Sequence, residues 1–225
     1  MKREILILCC CLFTVLFTGC KDKDVVYVRK AGTLATLIPA AKKYELRTLK
    51  LAGKLNGSDI RFIREMAGCD IYDNKTSGKL AVLDLSKANI VEGGDADYYA
   101  VLYKKMLKTS NNSIGMLMFY ACERLTSVIL PNNITSIEEN AFFDTRLTSI
   151  TIPESVTFIN NYAFNSTRLE EIYSANSVPP KCLSASFNGV NQASCTLYVP
   201  VGSLEAYKNA NEWEDFKNIV EKVTP

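Results

Sequence analysis

The sequence predicts an α/β solenoid: stacked coils of about 22–23 residues, each adding a short strand to a parallel sheet, with a helical cap region at either end. Three observations carry this. Arg124-Leu125-Thr126-Ser127-Val128-Ile129-Leu130-Pro131 recurs 22 positions later as Arg146-Leu147-Thr148-Ser149-Ile150-Thr151-Ile152-Pro153, and Arg168-Leu169-Glu170-Glu171-Ile172-Tyr173 opens a third copy after the same interval. Within each copy the apolar residues (Leu125, Val128, Leu130; Leu147, Ile150, Ile152) have the spacing of a short strand with one buried face. Pro131 and Pro153 then end the strand, and Asn132-Asn133 supplies turn residues, so the chain leaves the sheet there.

The rest of each coil keeps the register. Ile134, Ile137 and Ala141, or Val156, Ile159 and Ala163, return an apolar edge to the same interior, and Phe142 or Phe164 closes the coil. One coil cannot bury its own apolar edge, so coils must stack. Upstream, the strand pattern recurs as Leu46, Leu49, Leu51 and as Leu80, Leu83, Leu85. Between them, Ser58 is expected to cap a helix that carries Ile60, Ile63, Met66 and Ala67 on one side. The stretch from Leu80 to Leu125 is too long for one coil, and an insertion near Glu92-Gly93-Gly94-Asp95 followed by an irregular coil accounts for it, because Ile114 and Phe119-Tyr120-Ala121-Cys122 reproduce only the latter half of a repeat. At the other end, Leu197-Tyr198-Val199-Pro200 reads as the last strand, Ser203 as the cap of a helix through Leu204 and Tyr207, and Trp213, Phe216, Ile219 and Val220 as an apolar cover.

Lys2 and Arg3, an apolar run from Ile5 to Phe17, and Phe17-Thr18-Gly19-Cys20 form a signal peptide, too short to span a bilayer, which needs roughly 20 apolar residues. The segment resembles a bacterial lipoprotein signal, which implies cleavage before Cys20 and lipid attachment to its thiol. The expected organisation is therefore a leader over 1–19, a lipid-anchored tether over 20–30 and one repeat domain over 31–225, divided into an amino-terminal cap with irregular repeats (31–112), regular repeats (113–175) and a carboxy-terminal cap (176–225).

Composition argues against several functions. A formal charge of +2 gives no strong field, and the basic residues Lys42, Lys43, Arg47, Lys50 and Lys54 are interrupted by apolar residues at structural spacing, which argues against nucleic-acid binding. The chain has no histidine, so the commonest general base and metal ligand is missing, and a cysteine nucleophile would lack its usual partner. Glu170 and Glu171 are adjacent on a strand and point to opposite faces, and Glu138-Glu139 reads as solvated charge in a turn. Cys69, Cys122, Cys182 and Cys195 have no zinc-site spacing, and Cys182 with Cys195 is the pair close enough to suspect of a disulfide. No enzyme, metal or cofactor is expected.

Ser136-Ile137, Ala141-Phe142, Leu147 to Pro153 and the ending Leu197-Tyr198-Val199-Pro200-Val201-Gly202-Ser203-Leu204-Glu205-Ala206-Tyr207-Lys208 resemble the BspA-like leucine-rich repeats of bacterial surface proteins. Leu49 to Ala67, with Gly53-Lys54-Leu55-Asn56-Gly57, is similar to the amino-terminal region of short lipoproteins that carry such repeats. The family's cysteine at the turn before each strand is kept only as Cys122, with Asp144 and Ser166 in its place elsewhere. The resemblance implies a cell-surface lipoprotein of the outer membrane that binds an extracellular or envelope protein, in adhesion or contact with host or bacterial surfaces. The alternative is an accessory envelope protein that binds a glycan or another outer-membrane component for uptake, for which Tyr173 and Tyr198 are a thin supply of aromatic platforms. The candidate binding residues lie between the buried ones on the strands: Ser127, Ile129, Ser149, Thr151, Glu171 and Tyr173.

Replacing Cys20 by Ala is expected to release the protein from membranes, because two or three acyl chains hold firmly where a peptide alone does not. Metabolic labelling with a palmitate analogue checks this. An unlabelled wild type, together with a mutant that still sediments with membranes, would refute the anchor.

Overall fold

The computed structural model describes residues 24–95, 98–100 and 105–222, so Cys20 and the leader lie outside the described residues. Its elements are β1 (Val25–Val28), α1 (Leu34–Leu37), α2 (Ala40–Lys43), β2 (Thr48–Leu55), α3 (Gly57–Met66), β3 (Val82–Ile90), β4 (Tyr98–Ala100), β5 (Lys105–Leu107), β6 (Ser113–Ile114), β7 (Ser127–Ile129), β8 (Ser136–Ile137), β9 (Ser149–Ile152), β10 (Phe158–Ile159), β11 (Glu171–Ser174), β12 (Lys181–Cys182), β13 (Thr196–Pro200), α4 (Leu204–Lys208) and β14 (Asn218–Lys222).

The chain is the expected α/β solenoid. Eight parallel strands form one wall in the order β1-β2-β3-β7-β9-β11-β13-β14. Each regular strand alternates half-buried and buried residues. The register sets Leu83, Val128, Ile150, Ile172 and Leu197 beside one another, each at most 1% exposed. A second parallel sheet, β12-β10-β8-β6, stacks Ile114, Ile137, Ile159 and Cys182 on the opposite wall. The sequence pattern had shown these positions only as an apolar edge. Two-residue strands carry too little periodicity to be read as strands.

The core between the walls is threaded by Phe119, Phe142, Phe164 and Phe187, whose rings stack at 5.4, 5.5 and 5.4 Å with interplanar angles of 14° or less. Each ring is flanked, two residues before and two after, by residues with positive φ: Leu117 and Ala121, Asn140 and Asp144, Tyr162 and Ser166, Ala185 and Gly189. Two left-handed residues in five reverse the chain tightly enough to drive the intervening phenylalanine inward. Only Gly189 takes that conformation without side-chain strain. The stack ends on Trp213, fully buried, 4.8 Å from Phe187, with its indole N–H donating to the Pro180 carbonyl at 2.8 Å.

Several details differ from the sequence reading. Residues 25–28, expected in a tether, are the first strand of the sheet and pair with β2. Gly53 permits that pairing, since a Cβ there would lie 2.2 Å from the Val28 carbonyl oxygen. The cap of α3 is Asn56, two residues earlier than Ser58. Asn56 accepts from the Ser58 N–H at 3.1 Å, and Asp59 accepts from the Asn56 N–H at 3.0 Å in a capping box. Asp59 also accepts from the N–H groups of Gly32 and Leu34, which ties α3 to α1. Leu197 to Pro200 is the penultimate strand, because β14 continues the sheet beyond it. Ser203 does precede α4, but its side chain makes no capping bond. The insertion is the antiparallel hairpin β4–β5, and β3 pairs directly with β7 across it. Cys182, on β12, and Cys195, in the turn that leads into β13, are both free, buried thiols. Proximity in sequence failed there because the intervening loop carries the chain from one wall to the other.

Ser166→Gly should stabilise the protein by about 0.5–1 kcal/mol by removing left-handed strain, and Gly189→Ala should destabilise it by about 1 kcal/mol or more. A Cβ at Gly189 would stand 3.1 Å from the Ser166 nitrogen. Denaturant midpoints check both, and equal midpoints would mean that the turn is not strained.

Candidate ligand-binding face

The outer face of the large sheet is built from the positions between the buried ones. Pairing brings the six expected residues into two rows. Ser127, Ser149 and Glu171 share one register position and continue into Thr196 and Asn218. Ile129, Thr151 and Tyr173 share the next outward position and continue into Tyr198 and Val220. All six are half-buried, as befits side chains packed against neighbours on both flanking strands.

Hydrogen bonds fix the first row. Ser149 donates to Ser127 at 3.3 Å, Asn218 to Thr196 at 2.6 Å, and the Tyr173 hydroxyl reaches across to Glu171 at 3.0 Å. Burial first, and the Glu171 carboxylate second, raise the Tyr173 pKa above the ordinary phenol value. In the second row Tyr173 and Tyr198 stack at 4.6 Å with planes 9° apart, and the Lys222 ammonium sits 4.8 and 5.0 Å from the two ring centroids. Such cation–π contacts contribute about 0.5–1 kcal/mol at an exposed site. Beside the stack opens a cleft of about 560 Å³ lined by Thr151, Pro153, Glu154, Tyr173, Tyr198 and Lys222, among others.

Sequence reasoning named Thr151 and Tyr173 as outward strand residues and Tyr198 with Tyr173 as aromatic platforms of the alternative reading, but it left Tyr198 out of the candidate row and missed Glu154 and Lys222. The β11-to-β13 coil is longer than 22 residues, so the repeat register lapsed before Tyr198. Lys222 lies on a strand that had been read as part of a helical cover. The strand pattern Leu197, Val199 was the available signal, since it places Tyr198 outward.

The remaining chemistry-bearing residues are engaged elsewhere. Glu138, expected as solvated charge, is half-buried and accepts from Ser136 at 2.6 Å and Asn160 at 3.1 Å. Lys43 pairs with Glu65, while Lys50 and Lys54 sit apart on β2. Burial pushes the thiols of Cys69, Cys182 and Cys195 up to about 12 and that of Cys122 to about 11. Thiols so displaced stay protonated and unreactive at neutral pH. No group of three or more acidic or cysteine side chains suited to a metal ion occurs among the described residues.

Residues 98–209 match the family model of the BspA type leucine rich repeat region in six copies. No curated protein matches the chain.

A thiol whose folded pKa lies above its unfolded value of 9.0 adds stability that is complete below pH 9 and is lost as pH rises through 11 to 12. The denaturant midpoint should therefore fall across that window, and a Cys122→Ala, Cys182→Ala variant should fall less steeply than wild type. Parallel pH profiles for the two proteins would contradict this.

Proposed function

From a leucine-rich-repeat solenoid whose residues 98–209 carry BspA-type repeats, we propose a cell-envelope lipoprotein, anchored through Cys20 in the outer membrane and turned outward, that binds a protein or peptide partner on the outer face of its large sheet. The observation that carries this reading is the row Ile129, Thr151, Tyr173, Tyr198. It presents aliphatic and aromatic groups, half-exposed and held at strand spacing, on a rigid parallel sheet. Aromatic groups in such settings are the usual anchors of protein interfaces.

Anchor and face fit together. Four residues lie between Cys20 and β1, and over the five steps from Cys20 to Val25, at about 3.3–3.6 Å each, the β1 edge stays within roughly 18 Å of the lipid. The strands carrying Tyr173, Tyr198 and Lys222 lie at the opposite end of the sheet, several strand spacings of about 4.8 Å away. A lipid on Cys20 would thus hold the near edge, with the cleft at the far end of the sheet from it. No catalytic role is assigned, which accords with a chain free of histidine and with thiols that burial keeps protonated.

The stacked tyrosines beside a cleft also favour a second reading, an accessory protein that holds a glycan for uptake. A screen against arrayed extracellular proteins and glycans separates the two. With a protein partner in hand, changing Ile129 and Tyr173 together to Asp should weaken binding by more than about 2 kcal/mol and leave thermal unfolding within a few degrees of wild type. Unchanged binding would move the site to another surface, and lost folding would mean that the two side chains support the core.

A further inference from the structure

The outward row contains one notch. Parallel strands lie about 4.8 Å apart, and the Tyr173 and Tyr198 rings follow that spacing, 4.6 Å apart and nearly parallel. The rings therefore stand on the sheet one behind the other, one per strand. The next strand on the Tyr173 side presents Thr151, which ends in a hydroxyl and a methyl, and the strand beyond presents Ile129. A planar group placed one strand spacing from Tyr173 comes to rest above Thr151, between the Tyr173 strand on one side and the Ile129 strand on the other. The cleft of about 560 Å³ runs over Thr151 and Tyr173 toward Lys222, with Glu154 at the rim beside Pro153.

We propose that this slot is the anchoring subsite of the face, and that it takes the aromatic side chain of a protein segment whose neighbouring acidic group turns toward Lys222. The inference rests on the protein-binding reading above. The Tyr173 ring forms one wall, and the register sets Ile129 two strand spacings away, which leaves room above Thr151 for an aromatic ring that continues the tyrosine stack at the separations such rings prefer. A pyranose carries hydroxyls around its rim, and the Tyr173 hydroxyl at the edge of the slot already donates to Glu171. Lys222 supplies the counter-charge from over the two rings, and Glu154 is placed to accept a backbone N–H of the bound segment.

The test titrates the full chain with the capped peptide acetyl-Ala-Phe-Ala-Asp-amide and follows the methyl signals of Thr151 and Ile129 by NMR. Both signals should shift, and exchanging the peptide's Phe for Leu should weaken binding about tenfold or more. Thr151→Phe fills the slot with a side chain of the protein itself and should abolish the effect with the melting temperature retained. Lys222→Met should keep the preference for Phe but remove that for Asp over Asn. Equal binding of the Phe and Leu peptides, or unaltered binding to a folded Thr151→Phe variant, overturns the proposal. So does tighter, Thr151→Phe-sensitive binding of a β-linked N-acetylglucosamine trisaccharide, which assigns the slot to a sugar. If the slot fails while a screened protein partner still depends on Ile129 and Tyr173, the wider reading stands without it. If that dependence is absent as well, both fall.

Discussion

Each coil of this molecule reserves much of its backbone hydrogen bonding for the coils on either side. Thr148 and Ser149 donate to Thr126, Glu170 and Glu171 donate to Thr148, and Thr157 donates to Thr135 on the opposite wall. Threonine hydroxyls repeat the pattern: Thr126 to Ala81, Thr148 to Thr126, Thr157 to Thr135. Backbone groups removed from water must be paired, so the coils are forced into a common register along both walls. Every other feature follows from that register. It superimposes the aliphatic residues of successive strands, aligns the phenylalanine rings and makes the outward side chains fall into rows.

A stack of this kind has two ends and one irregular coil, and at these places the molecule departs from its repeat. At the carboxy-terminal end Trp213 and Phe216 cover the last phenylalanine, and Tyr207 is buried with its hydroxyl bonded to Ser174 at 2.6 Å and to the Asn176 carbonyl at 3.0 Å. At the other end α3 replaces the short strand of a regular coil. The buried Arg64 of α3 donates to the carbonyls of Met118 at 3.1 Å and Asp70 at 2.9 Å, clamping the irregular coil that follows the hairpin insertion. A buried guanidinium is tolerated where several oxygens surround it, and it then specifies which segments meet. The insertion therefore leaves the sheet intact: β3 meets β7 directly.

The same register that buries one face makes the other a surface with memory of the repeat. Conservative copying would give identical outward residues on each strand, and the first row comes close, with serines on two successive strands. The second row does not, running from Ile129 through Thr151 to Tyr173 and Tyr198. Core positions are held alike by packing, but outward positions carry no such demand. Variation there on an otherwise regular scaffold is where a ligand preference can be written. A solenoid fold hosts many surfaces and does not by itself name a partner.

The chain's own residues determined the solenoid, its 22-residue period, the inward and outward alternation and the two rows of candidate residues, because those features depend on neighbours a fixed distance along the chain. Leu125, Val128 and Leu130 declare their buried face within six residues, and Pro131 declares the exit. What the sequence did not disclose depends on contacts between segments that are remote in the chain. Asn56 outcompeted Ser58 as a cap because Asp59 must also hold Gly32 and Leu34. Residues 25–28 and 218–222 became strands because each sheet edge offered unpaired backbone groups to them. Cys182 and Cys195 stayed unpaired, one on β12 in the smaller sheet and the other in the turn before β13 of the large one. The pairing of Tyr198 with Tyr173 and the placing of Lys222 beside both rings arose only when β13 and β14 were docked in register, since no local pattern links residues 173, 198 and 222 until the sheet sets them side by side.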